Sequence, residues 1–162
     1  QWRHRVHKER LFQRINDSWG ALQDGIAGLT DEQLTTPGVT GHWSVRDLMA
    51  HVAAWEEALH ALPIIVDGGR LPKYASQGGI DAFNARNQEA QRDSSLEVLR
   101  HDMAATHQRL LAYVQRAPES AYAAEGRWLK RLRLDAYGHW SSTQSRSFHG
   151  VKSKAYKAQE SR

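Results

Sequence analysis

The stretch from Trp43 to Glu56, WSVRDLMAHVAAWE, predicts a helix and marks where that helix begins. Ser44 and Asp47 have the spacing of a capping box in which Asp replaces the usual Glu, so the helix is expected to start at Ser44. Pro63 is expected to end it, because proline lacks the amide hydrogen that the next turn needs. Between these ends, apolar side chains recur every three or four residues and form one stripe: Leu48, Val52, Trp55, Leu59 and Leu62.

Helical periodicity continues on both sides of this stretch. The first predicted helix runs from about residue 5 to residue 27, and Gly28 is its expected stop. A third runs from about residue 80 to residue 115 and is interrupted just before Ser94-Ser95-Leu96-Glu97, which reads as a second capping box. The last predicted helix starts near Arg127 and runs to Trp140.

These four periodic segments predict an all-α fold, namely a four-helix bundle. Residues 63–79 contain two prolines and four glycines, and they are expected to form a long crossover loop between helices 2 and 3. No segment shows the alternation expected of a strand. We expect a single domain over residues 1–145, followed by a basic tail over residues 146–162.

Composition excludes several classes of protein. The 162 residues contain no cysteine, which rules out a disulfide scaffold, a thiolate zinc site and a cysteine nucleophile. There is no apolar run of about 18 residues and no secretory signal, so we expect a cytoplasmic protein without a membrane partner. The tail carries five Lys or Arg side chains and one Glu, which accounts for the whole net charge of +4. Because the rest of the chain is balanced, no nucleic-acid partner is expected.

Two histidines fall on the apolar stripes of different predicted helices. At 100° per residue, His51 lies about 40° from Trp55, and His139 lies about 20° from Leu132. Each could be a core histidine with a hydrogen-bond partner. Two inward imidazoles in one bundle nevertheless favour a divalent metal site between helices 2 and 4, because burying an unpaired imidazole is costly.

Asp135 is the candidate third ligand. It precedes His139 by one helical turn, so the two side chains share a face, although Asp135 could instead be a solvated acid or the partner of a nearby arginine. Side chains from several segments are expected to line a substrate pocket, with loop 63–79 over its mouth: Trp43, Trp55, Tyr74, Tyr137 and Thr143. Trp43 could also pack against the start of helix 2 as a hydrophobic staple. No residue is assigned a catalytic role.

The remaining polar side chains of interest are expected to face solvent. Charged or polar surroundings predict surface positions for most of the other histidines, namely His4, His7, His60, His101 and His107. His42, just before helix 2, could approach the metal site from the loop, but a surface position is expected for it too. A basic cluster at the start of the last helix reads as a solvated face formed by Arg127, Lys130, Arg131 and Arg133. The sequence has no Gly-rich phosphate loop, nucleophile elbow or HExxH motif.

The run W-S-V-x-D-L-x-x-H-x-x-x-W-E at residues 43–56 resembles the DinB/YfiT-like four-helix-bundle superfamily. Segments 81–92 and 136–140 are similar to its ClbS/DfsB-type branch, and the resemblance covers residues 10–143. In metal-binding members, a histidine on helix 2 joins an H-x₃-H pair on the last helix, which implies His51 and His139 as ligands. Thr143 stands where the second histidine of that pair is expected. Some related thiol-dependent isomerases use an acid one turn before the helix-4 histidine, which is Asp135 in this chain.

The resemblance implies a cytoplasmic protein that acts on a small molecule at a His51/His139 site, as a metal-dependent hydrolase or a thiol transferase. The implied cofactor is a divalent metal, Zn, Ni or Mn. One alternative is a ClbS-like, metal-free resistance protein that hydrolyses or sequesters an electrophilic small molecule. The other is a non-enzymatic dimeric bundle that binds a ligand. A homodimer is expected.

Overall fold

The structure is a computed structural model that describes residues 2–39, 41–54, 56–70, 78–122 and 126–133, together with Ser153 and Lys157. No strand occurs in this described part, so the predicted all-α class is confirmed. Its helices are, in chain order, α1 (Trp2–Ile26), α2 (Asp31–Thr35), α3 (Val45–Ala53), α4 (Glu56–Val66), α5 (Gly79–Ala90), α6 (Leu96–Arg116), a 3-10 helix (Glu119–Tyr122) and α7 (Arg127–Leu132).

The chain divides into two compact units, of which the first comprises residues 1–45 and 117–162. In this unit the 3-10 helix contacts both α1 and α7. Tyr122 is fully buried and meets the ring of Trp128 edge-on, with the ring centroids 5.1 Å apart. The ammonium group of Lys8 on α1 lies 5.5 Å from the centroid of the Tyr122 ring, a cation–π distance. An aromatic pair and one lysine therefore link the three helices.

The second unit comprises residues 46–116, and in it α4 contacts α6. α5 contributes no buried side chain. Most buried apolar side chains of the unit come from the other three helices. Those that the predicted stripes include are Leu48, Val52, Leu62, Leu99, Met103, Leu110 and Val114, and the structure adds Met49 and Ile65.

Several predicted helix ends are confirmed. α1 ends at Ile26, and Gly28 follows with φ 77°, a left-handed conformation that glycine adopts without a steric penalty. α3 begins at Val45, directly after Ser44. The second capping box is off by one residue: α6 begins at Leu96, and the hydroxyl of Ser95 accepts a hydrogen bond from the amide of Val98 at 3.2 Å.

The prediction that Pro63 ends the second helix is wrong, as is the prediction that residues 63–66 belong to a loop. The helix is divided into α3 and α4, and α4 passes through Pro63 to Val66. The stop is Gly68, with φ 79°, whose amide donates to the carbonyl of Ile65 while Gly69 donates to Ile64. This pair of bonds is a Schellman motif, which satisfies the last carbonyls that the helix leaves open.

The short helix α2 was not predicted. The hydroxyl of Thr30 accepts from the amide of Gln33 at 3.2 Å, and the amide of Thr30 donates to Oε1 of Gln33 at 3.0 Å. These reciprocal bonds form a complete capping box. The T-x-x-Q signal was present in the sequence, but a five-residue helix has too few turns to show a period.

Other predictions concern parts of the chain outside the described residues. They include the last helix beyond Arg133, most of the crossover loop and the tail apart from Ser153 and Lys157. None of the described helices is long and apolar enough to cross a bilayer.

Candidate metal centre

His51 lies in the last turn of α3, seven residues after Ser44. Its neighbours Ala50 and Val52 are buried, and the His51 side chain itself is half-buried, with Nδ1 shielded from solvent. This position follows from the sequence, because Ser44 predicts where α3 begins and the apolar stripe predicts which side of it faces the interior. A half-buried imidazole is suited to ligating a metal ion through one ring nitrogen.

The other predicted ligands, Asp135 and His139, lie outside the described residues. So do four of the predicted pocket residues, namely Trp55, Tyr74, Tyr137 and Thr143. Within the part of the chain that the structure describes, no group of three His, Cys, Asp or Glu side chains could hold a metal ion. The three-ligand set therefore stays a prediction. His51 is the one proposed ligand whose position the structure describes.

Trp43 is the one predicted pocket residue in the described part. It is half-buried just before α3, and its carbonyl accepts a hydrogen bond from the amide of Val39 at 2.9 Å. His42 is exposed, as predicted, and its ring meets that of Trp43 edge-on, with the centroids 6.5 Å apart. The hydrogen bond from Val39 closes the turn that precedes α3 and holds the backbone of Trp43 in that turn.

His107 on α6 is buried, so the prediction of a surface position is wrong. Removal from water lowers its pKa from 6.5 to about 4, which keeps the imidazole neutral at pH 7. The signal was present in the sequence: residue 107 follows Met103 by four and precedes Leu110 by three, which places it on the apolar stripe of α6. Its polar surroundings in the sequence suggested exposure, but periodicity decides which face is buried.

Arg46, in the first turn of α3, makes contacts that sequence reasoning missed. Its Nη2 donates to three backbone carbonyls of the connection between α5 and α6: Gln91 at 2.6 Å, Arg92 at 2.6 Å and Ser94 at 2.7 Å. These carbonyls follow the C-terminal end of α5, where the helix macrodipole favours a cation. No sequence signal could have found these contacts, because they join residues 45 to 48 positions apart.

The basic cluster of α7 agrees with the predicted solvated face. Arg127, Lys130 and Arg133 are exposed, and Arg131 is half-buried. Trp128 and Leu132 are buried on the same short helix. The burial of Trp128 and Leu132 determines which side of α7 faces the interior. The exposure of most of the cationic side chains then follows from helical periodicity.

A comparison with protein families matches residues 15–141 of this chain to a family model described as the mycothiol maleylpyruvate isomerase N-terminal domain. No curated protein and no solved structure matches the chain. The match covers well over half of the chain and includes Trp43, Arg46, His51, Asp135 and His139.

Proposed function

Since this chain belongs to the mycothiol maleylpyruvate isomerase N-terminal domain family, a DinB/YfiT-like all-helical group, we propose that it is a metal-dependent, thiol-related enzyme acting on a small molecule. The observation that carries the proposal is the family match over residues 15–141, within which His51 lies at the end of α3. The family match supports the DinB-like resemblance in general, and it gives no support to the ClbS/DfsB-type branch in particular.

We assign the metal to His51, His139 and Asp135. Two imidazole nitrogens and one carboxylate oxygen form a donor set that suits Zn, Ni or Mn. The described member fits this role, because His51 is half-buried and its Nδ1 is shielded from water. A divalent metal would supply Lewis acidity at this centre and lower the pKa of a bound thiol or water.

The thiol comes from a bound molecule in this proposal. The 162 residues contain no cysteine, so the chain itself offers no thiolate nucleophile. A small thiol is therefore the co-substrate, and thiol transfer or thiol-dependent isomerisation are the reaction classes that fit. Trp43, half-buried before α3, is assigned to the wall of the small-molecule pocket.

Metal analysis of protein purified without a nickel column tests the ligand assignment. We expect about one divalent ion per chain in the wild type and background levels in His51→Ala, His139→Ala and Asp135→Ala. His60→Ala is the matched control, because His60 lies exposed on α4. Equal metal content in His51→Ala and in the wild type would contradict the assignment.

An activity assay then tests the thiol requirement. Mycothiol and glutathione are offered with maleylpyruvate or a small electrophile as the second substrate. We expect turnover that needs both a thiol and metal-loaded protein, and that His51→Ala abolishes while His60→Ala preserves. Turnover of an electrophile by metal-free His51→Ala, without a thiol, would instead support the metal-free resistance reading and overturn this proposal.

A further inference from the structure

Arg46 occupies a motif position for which the sequence analysis found no role. In the run W-S-V-x-D-L it is the variable residue, between the two members of the predicted capping box. The structure places its guanidinium on the carbonyl oxygens of Gln91, Arg92 and Ser94, at 2.6 to 2.7 Å. All of these residues belong to the second unit, so the contact lies within one compact body.

The cluster of carbonyls is a favourable place for a cation. Gln91 and Arg92 directly follow α5, whose C-terminal end carries the partial negative charge of the helix macrodipole. The Gln91 carbonyl also accepts a hydrogen bond from the amide of Ser94 at 3.1 Å, so the connection is closed by its own backbone as well. Charge-assisted hydrogen bonds are the stronger class of such bonds. Arg46 therefore ties the first turn of α3 firmly to the connection between α5 and α6.

This tie acts on a short helix that also carries His51. α3 has nine residues, and His51 follows Arg46 by five, which is about 7.5 Å along the axis and about 140° around it. Leu48, Met49 and Val52 are buried. Packing of these apolar side chains still allows a short helix small rotations and tilts. The hydrogen bonds that the Arg46 guanidinium shares among the carbonyls of Gln91, Arg92 and Ser94 restrain such motions.

We propose that Arg46 is a positioning residue that fixes the orientation of α3 and thereby the direction in which His51 presents its imidazole. The inference rests on the proposed function for the role of His51 as a metal ligand. The contact between Arg46 and the carbonyl cluster does not depend on a metal, so its effect on His51 can be measured in metal-free protein.

The test compares Arg46→Ala and Arg46→Lys with two controls. Arg92→Ala removes an exposed cation from the same connection but keeps the backbone carbonyl that Arg46 contacts. Leu110→Ala destabilises the second unit through its core, fifteen residues along the chain from Ser95. The readouts are the His51 ring resonances in metal-free protein, assigned with His51→Gln, and the affinity for Co²⁺.

We expect Arg46→Ala to shift the His51 ring resonances and to weaken Co²⁺ binding by roughly tenfold, as when the groups that orient a metal-binding histidine are removed. Arg46→Lys should keep the His51 resonances and the Co²⁺ affinity close to their wild-type values, because an ammonium group keeps the charge and offers three donors. Arg92→Ala and Leu110→Ala should leave the resonances and the affinity at wild-type values.

Unchanged His51 resonances and unchanged Co²⁺ affinity in Arg46→Ala would overturn the inference, and so would equal effects in Leu110→Ala. If Arg46→Ala does not fold, Arg46→Lys alone serves as the test. A loss of Co²⁺ affinity in Arg46→Lys as large as that in His51→Gln would then contradict the positioning role of the contacts with the carbonyls. Wild-type protein that binds no Co²⁺ while Arg46→Ala still shifts the resonances would refute the proposed function and leave the positioning role standing.

Discussion

His107 shows how burial of one imidazole makes the stability of the protein depend on pH. Burial lowers its folded-state pKa from 6.5 to about 4. Below pH 6.5 the imidazole of residue 107 binds a proton in the unfolded chain but stays neutral in the folded protein. The free energy of unfolding therefore falls as the pH drops toward 4. The slope from this residue is at most about 1.4 kcal/mol per pH unit, and it vanishes above pH 6.5 because both states are then neutral.

Urea unfolding at pH 7 and at pH 4.5 measures this effect. We expect His107→Gln to reduce the loss of stability between the two pH values, since glutamine does not titrate. His60→Gln, at an exposed position on α4, should keep the wild-type difference. The same pH dependence in His107→Gln and in the wild type would contradict the role of buried His107.

The two histidines differ in how far the sequence could place them. His51 could be placed because Ser44 marks the helix start and the stripe fixes the inward face, and the structure shows it half-buried. His107 fits the stripe of α6 equally well, yet its polar surroundings in the sequence led to a wrong surface prediction. Arg46 could not be predicted at all, because its partners are backbone carbonyls brought close by the fold.

At the scale of elements, helix ends rest on a few local hydrogen bonds. The capping box of α2 joins Thr30 and Gln33 through two of them. We expect Thr30→Ala to lower the free energy of unfolding by about 1 kcal/mol, because the start of α2 loses its cap. Thr35→Ala is the matched control: its hydroxyl is exposed and bonds only to carbonyls of the preceding turn, so its effect should stay within about 0.5 kcal/mol. Equal effects of the two substitutions in urea unfolding would contradict this account.

The close packing of Gly69 at the end of α4 predicts that a larger residue there destabilises the protein. A Cβ at Gly69 would lie 2.6 Å from Cγ2 of Ile64 and 2.8 Å from its carbonyl oxygen, which accepts the Gly69 amide. Since that carbonyl cannot move without breaking the Schellman motif, Gly69→Ala should cost about 1–3 kcal/mol.

The matched control is Gly20→Ala on α1, where a Cβ meets no atom within 4 Å. That substitution should stabilise the protein by about 0.5–1 kcal/mol, because alanine loses less conformational freedom in a helix. A thermal-unfolding experiment in which the two alanines shift the midpoint in the same direction would refute the steric argument.

Helix ends with a clear local signal in the sequence were predicted correctly, whereas the end that depends on packing was not. Ser44 and Gly28 mark ends that side-chain chemistry and backbone conformation determine locally, and both were placed correctly. Pro63 was read as a stop because it removes one amide hydrogen. Burial of Leu62 and Ile65 on either side of it offsets that loss, so α4 continues until Gly68 adopts the left-handed conformation.

At the scale of the whole molecule, the all-α class and the family were accessible from the sequence. Helical periodicity determines the class, and the motif at residues 43–56 led to the superfamily to which the matched family belongs. The ligand set is a different matter. A helical wheel gives the direction of each side chain on its own helix, but it does not give the distance between side chains on different helices.

The most direct test of the central claim is a crystal structure of zinc-loaded protein with anomalous diffraction measured at the zinc edge. The account predicts one anomalous peak about 2.0–2.1 Å from a ring nitrogen of His51 and from one of His139, with an Asp135 oxygen at a similar distance. Imidazoles of His51 and His139 that lie too far apart to share one ion, or that point into solvent with no peak between them, would contradict it.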